Sequence, residues 1–271
     1  MCASDTKEAR VSTRVSSGVS GATRVIVIGA SGRLGSRVCE LAHADDAFAL
    51  VGAVVRAGSA HAGRAAAAER PGRASVQNTD STAVFGASGA DVVIDVATGA
   101  GTATAIETAQ RVGCALLVCS TGLGERVVRA LREESASRAV LTAANTSVGI
   151  AALSELTRRA AAMLSGYDCS IVESHHNQKK DAPSGTALRL AEAARAGGAR
   201  LEREQVVSIR GGDVVGEHTV RFAGRGEYIE LTHRATSRDL FARGALVAAA
   251  WLRGRPAGWW TMEDVLGLST R

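Results

Sequence analysis

The stretch Arg24-Val25-Ile26-Val27-Ile28-Gly29-Ala30-Ser31-Gly32-Arg33-Leu34-Gly35 decides the fold. Its first half is a short β-branched run closed by glycine, the pattern of a strand buried on both faces in a parallel sheet. From Gly32 to Ala42 the pattern is helical, so the glycines occupy the turn from strand to helix. They spell GxxGxxG rather than the more familiar GxGxxG. The physics is similar, because glycine lets the backbone turn tightly and free N–H groups at a helix start can hold a pyrophosphate. A glycine-rich turn without a ligand reads the same way in isolation. What separates the two is that this turn opens the first βα unit of the chain. The second strand ends Val54-Val55-Arg56, without the Asp or Glu that commonly takes the ribose hydroxyls. Arg56 there can accept a 2′-phosphate, which favours NADP over NAD.

Outward from this turn, strand and helix patterns alternate. AFALVGAVV (47–55), DVVIDVAT (91–98), CALLVCSTG (114–122) and AVLTAAN (139–145) read as buried strands, with TATAIETAQRVG (102–113) and ERVVRALREESAS (125–137) as helices. That alternation predicts right-handed βαβ units in an α/β fold, a Rossmann-type doubly wound parallel sheet. After Asn145 the rhythm changes. A long helix (148–166), a strand (167–174) and a second helix (183–198) precede three segments, 205–212, 216–224 and 226–235. These three alternate like antiparallel strands joined by glycine turns. Residues 239–254 read as a helix and WWTMEDVLGL (259–268) as a terminal helix or turn. The expected division is a disordered tail (1–23), a dinucleotide-binding domain (24–145), an inserted α+β domain for substrate binding and oligomerisation (146–238), and C-terminal helices packing back on the first domain (239–271).

Composition narrows the function classes. Of 271 residues 46% are hydrophobic and 22% charged, which excludes bulk disorder. No apolar run reaches the roughly 18 residues a membrane-spanning helix needs. The five cysteines, Cys2, Cys39, Cys114, Cys119 and Cys169, form no CxxC, which suits free thiols in a reducing compartment and a cytoplasmic location. Residues 1–23 lack the apolar core of a secretory signal, and Asp5 and Glu8 argue against an organellar transit peptide. A net charge of +5 invites a nucleic-acid reading, but 29 of the 32 basic residues are Arg, spread along the chain among acids rather than gathered in a stripe. Neither nucleic acid nor membrane is expected as a partner.

Two of the six histidines and two of the three lysines fall in one loop, Glu173-Ser174-His175-His176-Asn177-Gln178-Lys179-Lys180-Asp181-Ala182-Pro183-Ser184-Gly185-Thr186-Ala187. Ser184, Gly185 and Thr186 begin a helix, where N–H groups and the Thr hydroxyl can bind a carboxylate. Lys179 adds positive charge, and histidine is the side chain best poised to give a proton near neutral pH. An anion cradle beside a proton donor suits reduction of an acidic, imine-like substrate. A metal is not expected, because adjacent histidines in a strand point to opposite faces.

This loop closely resembles the E-[AS]-H-H-x-x-K-x-D-A-P-S-G-T-A segment of the 4-hydroxy-tetrahydrodipicolinate reductase (dihydrodipicolinate reductase) family, which acts in lysine biosynthesis by the diaminopimelate route. VIVIGASGRLG, LVCSTGL, TAANTSVGI, GGDVVGEHTVRF, LTHRATSR and FARGA support the resemblance from about Arg24 onward. It implies cofactor contacts from Gly29, Ala30, Ser31, Gly32, Arg33 and Leu34, from Cys119, Ser120 and Thr121, and from Ala143, Ala144, Asn145 and Thr146. It implies His175 as proton donor with Lys179 as its partner, His176, Gly185 and Thr186 as substrate contacts, and NADPH or NADH as cofactor. Three departures stand out. Cys119 replaces a glycine, Asp95-Val96-Ala97-Thr98-Gly99 loses the D-F-[ST]-x-P pattern, and the stretch from Gly198 to Val206 is short. Cys119 could crowd the nicotinamide, and the loss of the second pattern could loosen its packing. The apolar strands of the inserted domain exceed what two helices can cover, which together with the resemblance predicts a homotetramer. Two other readings remain: a reductase of another small cyclic imine acid, and a dinucleotide sensor without turnover.

Overall fold

The protein is described by a computed structural model covering residues 21–87 and 89–268. The tail expected over residues 1–23 lies outside the described residues as far as residue 20, and Thr23 already belongs to the first strand. The first half runs β1 (Thr23–Ile28), α1 (Arg33–Ala44), β2 (Phe48–Val54), β3 (Asn78–Thr79), β4 (Val92–Asp95), α2 (Gly99–Val112), β5 (Ala115–Val118), α3 (Glu125–Glu134) and β6 (Ala139–Thr142). The second half continues with α4 (Val148–Met163), β7 (Asp168–His175), α5 (Gly185–Ala196), β8 (Val206–Arg210), β9 (Gly216–Gly224) and β10 (Glu227–Ala235). The chain closes with α6 (Asp239–Leu252), β11 (Gly258–Trp260) and α7 (Met262–Val265).

Seven strands form one parallel sheet in the order β11-β6-β5-β4-β1-β2-β3. The chain leaves β1 toward β2 and β3, then returns to the other side of β1 with β4. Strand order therefore reverses beside the carboxyl end of β1, where open α/β sheets bind their ligands. The continuous β-branched runs are explained by burial on both faces. Val25, Ile26 and Val27 are fully buried, as are Val92, Val93 and Ile94. Helix α6 lies in the same core, its Ala245, Ala248, Ala249 and Leu252 packed with Val25, Val27 and Ile94. Close approach there requires Gly244, since a Cβ at that position would sit 1.8 Å from the Thr146 carbonyl oxygen. Arg37 on α1 holds Asp239 at the start of α6 through two bonds of 2.7 Å. Cys39, Cys114, Cys119 and Cys169 are free and buried, and Cys2 lies outside the described residues.

Two expectations need correction. Residues 259 and 260 are not helix or turn: Gly258–Trp260 extends the large sheet, parallel to β6. Trp259 stacks under the Arg132 guanidinium at 3.6 Å, and Trp260 meets Trp251 edge to face at 5.3 Å. The second sheet, ordered β10-β9-β7-β8, is also not wholly antiparallel. β8 runs parallel to β7 on its outer edge, because α5 forms the crossover between them, and such a crossover returns the chain in the same direction. Beneath α4 and α5 this sheet buries Ile171, Leu190, Val220 and Phe222. Its other face carries Val172, Val207 and Ile209, which are 38%, 47% and 49% exposed.

Candidate active site

The glycine turn is built around backbone proximity. Gly29 has φ +87°, and a Cβ on Gly35 would lie 2.0 Å from the Gly29 carbonyl oxygen. Only residues without side chains let α1 start so close to the end of β1. Among the described residues no side chain caps Gly32, and no acid occupies the first turn of α1. The result is a cradle a Cβ would fill, with helix-start N–H groups free for anionic oxygens, so the residues present fit a dinucleotide pyrophosphate. Arg56 stands exposed after β2. Beside the turn, Ser31, Ser36, Glu40, His61 and Asn78 help line a cleft of about 360 Å³.

The far wall of the switch point is held by Asp95. Its carboxylate, fully buried, accepts from Thr102 Oγ1 at 2.7 Å, Ser120 Oγ at 2.9 Å and Ala97 N at 3.0 Å. Burial pushes its pKa above the usual carboxylate range, against those bonds. The same bonds tie the ends of β4 and β5 together, so the departure at Val96-Ala97 leaves this turn anchored at both sides. Cys119 is 8% exposed and packs in the main core with Ile94 and Leu117, so its extra atoms are taken up by the core rather than by the crevice. Burial pushes its thiol up. Ser120 is buried and engaged, while Thr121 and Ala144 are exposed.

A side-chain hydrogen bond joins the two halves at the site. Asn145 Nδ2, just after β6, donates to Thr186 Oγ1 at the start of α5 at 3.0 Å, while its Oδ1 accepts from Ser147 N at 2.9 Å. Thr146 is buried and donates to the Phe241 carbonyl at 2.7 Å. The start of α5 is capped by Ser184, which accepts from Ala187 N at 3.1 Å, and a Cβ on Gly185 would meet nothing within 4 Å. Gly185 therefore faces open space at this helix start, with half-buried Thr186 beside it.

The histidine pair divides as the strand period requires. His175, 9% exposed, turns inward at the end of β7, and His176 is held on the other side by Arg238 Nη2 at 2.9 Å. His176, Gln178, Asp213, Val215 and Arg238 line a second cleft of about 230 Å³. Lys179 Nζ pairs with Asp181 at 2.9 Å. Burial lowers the His175 pKa below the usual imidazole value, with the charges of Lys179 and Arg210 acting in the same direction and Glu173 opposing them.

Sequence reasoning missed three functional neighbours. Glu173 is fully buried and hydrogen-bonds His175 Nδ1, and its carboxylate receives Arg210 Nη1 at 3.0 Å and Nη2 at 2.8 Å. His218 on β9 sits edge to face with His175 at 5.1 Å and 3.1 Å from Ser184 Oγ. The signal for Glu173 was available, because residues two apart in a strand share a face. None marked Arg210 among 29 arginines. Glu173, His175 and His218 bring ligand-type atoms within 4.8 Å of one another, yet a guanidinium already occupies both carboxylate oxygens.

A doubly wound sheet with an open glycine cradle at its switch point, bridged to a loop of proton-transfer and anion-binding groups, defines a dinucleotide-dependent oxidoreductase. Comparison with known proteins makes the class specific. Residues 23–146 match the family described as dihydrodipicolinate reductase, N-terminus, and residues 149–266 match its C-terminus. The chain belongs to the dihydrodipicolinate reductase family. A 4-hydroxy-tetrahydrodipicolinate reductase of Xanthomonas axonopodis pv. citri is 44% identical, covering 90% of this chain and 98% of its own. One from Anaeromyxobacter dehalogenans is 42% identical, with 91% and 98% covered. The solved structure of a dipicolinate-bound dihydrodipicolinate reductase from Paenisporosarcina sp. TG-14 shares the fold, with TM-score 0.72 at 18% identity over 90% of this chain and 98% of that one. The C-terminal family match includes α6 and β11, although both belong to the large sheet's layer in space.

Proposed function

We propose that this chain reduces 4-hydroxy-tetrahydrodipicolinate to tetrahydrodipicolinate with a nicotinamide dinucleotide, the 4-hydroxyl leaving as water, in the diaminopimelate route to lysine. The observation that carries this is the Asn145–Thr186 bond, which places the anion-binding start of α5 against the dinucleotide half, with His175 at the end of the preceding strand. The bound nicotinamide supplies hydride. Residues 29–34, 119–121 and 143–146 would hold the dinucleotide, the first group offering the helix-start N–H groups that follow Gly32 to its pyrophosphate. Gly185 and Thr186 bind one substrate carboxylate, and His176, beside Arg238, contributes to the other end of the site. Lys179 holds negative charge near the substrate ring, and His175 gives the proton that the reduced ring requires. Arg56, exposed where a ribose-binding acid is absent, sets a preference for NADPH while NADH remains usable.

The assembly is a homotetramer formed through the open face of the smaller sheet. The division into 24–145, 146–238 and 239–271 separates cofactor binding, substrate binding with assembly, and the returning helices. The buried free thiols suit the cytoplasm, and no helix of the described residues is long and apolar enough to cross a membrane. Purified protein should oxidise NADPH when the preceding synthase delivers substrate from aspartate semialdehyde and pyruvate. Absence of turnover with dinucleotide binding retained would favour the sensor. Turnover only with a different cyclic imine acid would move the substrate assignment.

A further inference from the structure

Glu173 and Arg210 have no part in the roles assigned above, yet each oxygen of the Glu173 carboxylate accepts two hydrogen bonds, one of them from Arg210 in each case. Glu173 is fully buried. One oxygen accepts from Ser184 N at 3.2 Å and Arg210 Nη2 at 2.8 Å, and the other from Arg210 Nη1 at 3.0 Å and His175 Nδ1. Arg210 is itself fixed by donating Nη2 to the Asp181 carbonyl at 2.6 Å. Burial alone would raise the Glu173 pKa, but the hydrogen bonds from Arg210 and His175 bring it down to about 2. It is thus ionised at neutral pH and can only accept. His175 Nδ1 must therefore carry a hydrogen, which leaves Nε2 as the atom that gains and releases the mobile proton.

We propose that Glu173 is a positioning residue for proton transfer, holding His175 in its Nδ1–H form with Nε2 toward the substrate, and that Arg210 clamps the carboxylate so that it orients the ring without taking its proton. The proposal rests on the reading of His175 as proton donor. In the step itself, the Nε2–H bond of the imidazolium breaks, the proton passes to the substrate, and the ring is left neutral with Nδ1–H retained. Solvent returns the proton to Nε2. A free carboxylate beside Nδ1 would bind the imidazolium proton too strongly, and with no carboxylate the ring could rotate or change tautomer.

The charges facing His175 come from every neighbouring element. They are Glu173 on its own strand, Lys179 with Asp181 in the loop, Arg210 on β8 and His218 on β9. Of these Glu173 pulls the imidazole pKa up, whereas Lys179 and Arg210 pull it down. Removing Glu173 and removing Arg210 must consequently shift the pH profile in opposite directions, which damage to the fold would not do.

The test uses full-length enzyme labelled with ¹⁵N-histidine, with His175→Gln assigning the resonance, and kcat measured against pH. In wild type, His175 should read as the Nδ1–H tautomer. Glu173→Gln should convert it to Nε2–H, because Arg210 orients the amide oxygen toward itself and the amide NH₂ toward Nδ1. It should also lower kcat by about 10²-fold and move the imidazole limb to lower pH, with KM for NADPH unchanged. Glu173→Asp should restore part of the rate and the Nδ1–H signal, and Arg210→Gln should move the limb to higher pH. An unchanged tautomer and profile in Glu173→Gln overturns the proposal, and if that variant does not fold, an unmoved or lowered limb in Arg210→Gln overturns it. A His175→Gln enzyme with near wild-type kcat would instead remove the proton-donor reading itself.

Discussion

Burying an ionised carboxylate costs several kcal/mol unless its oxygens are matched, and around Glu173 every match is also a constraint on His175. Residue roles at this site therefore separate cleanly in kinetics. His175→Gln should lower kcat by about 10²-fold or more with NADPH affinity unchanged, as should Lys179→Ala, while Thr186→Ala should mainly raise KM for the substrate. Arg56→Ala should raise KM for NADPH well above any effect on NADH, and calorimetry showing tighter NADH binding by the wild type would refute the preference. His218 adds a stability term. Burial, reinforced by the charge of His175, lowers its pKa to about 4, below the roughly 6.5 of an unfolded histidine. The unfolded chain then binds the extra proton between those values, so the contribution is whole above about pH 6.5 and declines as pH falls toward 4, by up to about 3 kcal/mol. Thermal melts should show that loss, and His218→Gln should flatten it.

At the scale of elements, the strongest constraint is the meeting of β1 with α1. Gly35→Ala would press a methyl to 2.0 Å from the Gly29 carbonyl, and backbone on both sides leaves no flexible side chain to yield. The expected outcome is a loss of about 1–3 kcal/mol with dinucleotide affinity reduced more than substrate affinity, read by melting curves and titration. This turn was legible because glycine spacing reports backbone approach directly. The direction of β8 was not read from its own residues, since alternation in VVSIR shows a strand but not its sense. The helix between β7 and β8 did carry that information, as a crossover demands a parallel return. Trp259 and Trp260 carried no comparable signal, because three residues give no usable period and only pairing with β6 makes them a strand.

For the whole molecule, the smaller sheet presents Val172 beside Val207 and Ser174 beside Ile209 on its uncovered face. Light scattering at micromolar concentration should report a tetramer, and Ile209→Asp should shift it toward smaller species; a wild-type monomer would exclude the arrangement. Legible in the sequence were the parallel sheet, the glycine turn and the split of His175 from His176, because each follows from local period and backbone geometry. Tertiary structure alone decided the partners of His175. Glu173, Arg210 and His218 come from three strands, and their meeting depends on the order and register of those strands. It also decided that Cys119 fills the core and that Gly258–Trp260 joins the first sheet as a strand. These are outcomes of long-range packing, where burial of many apolar groups, rather than any local pattern, selects the arrangement.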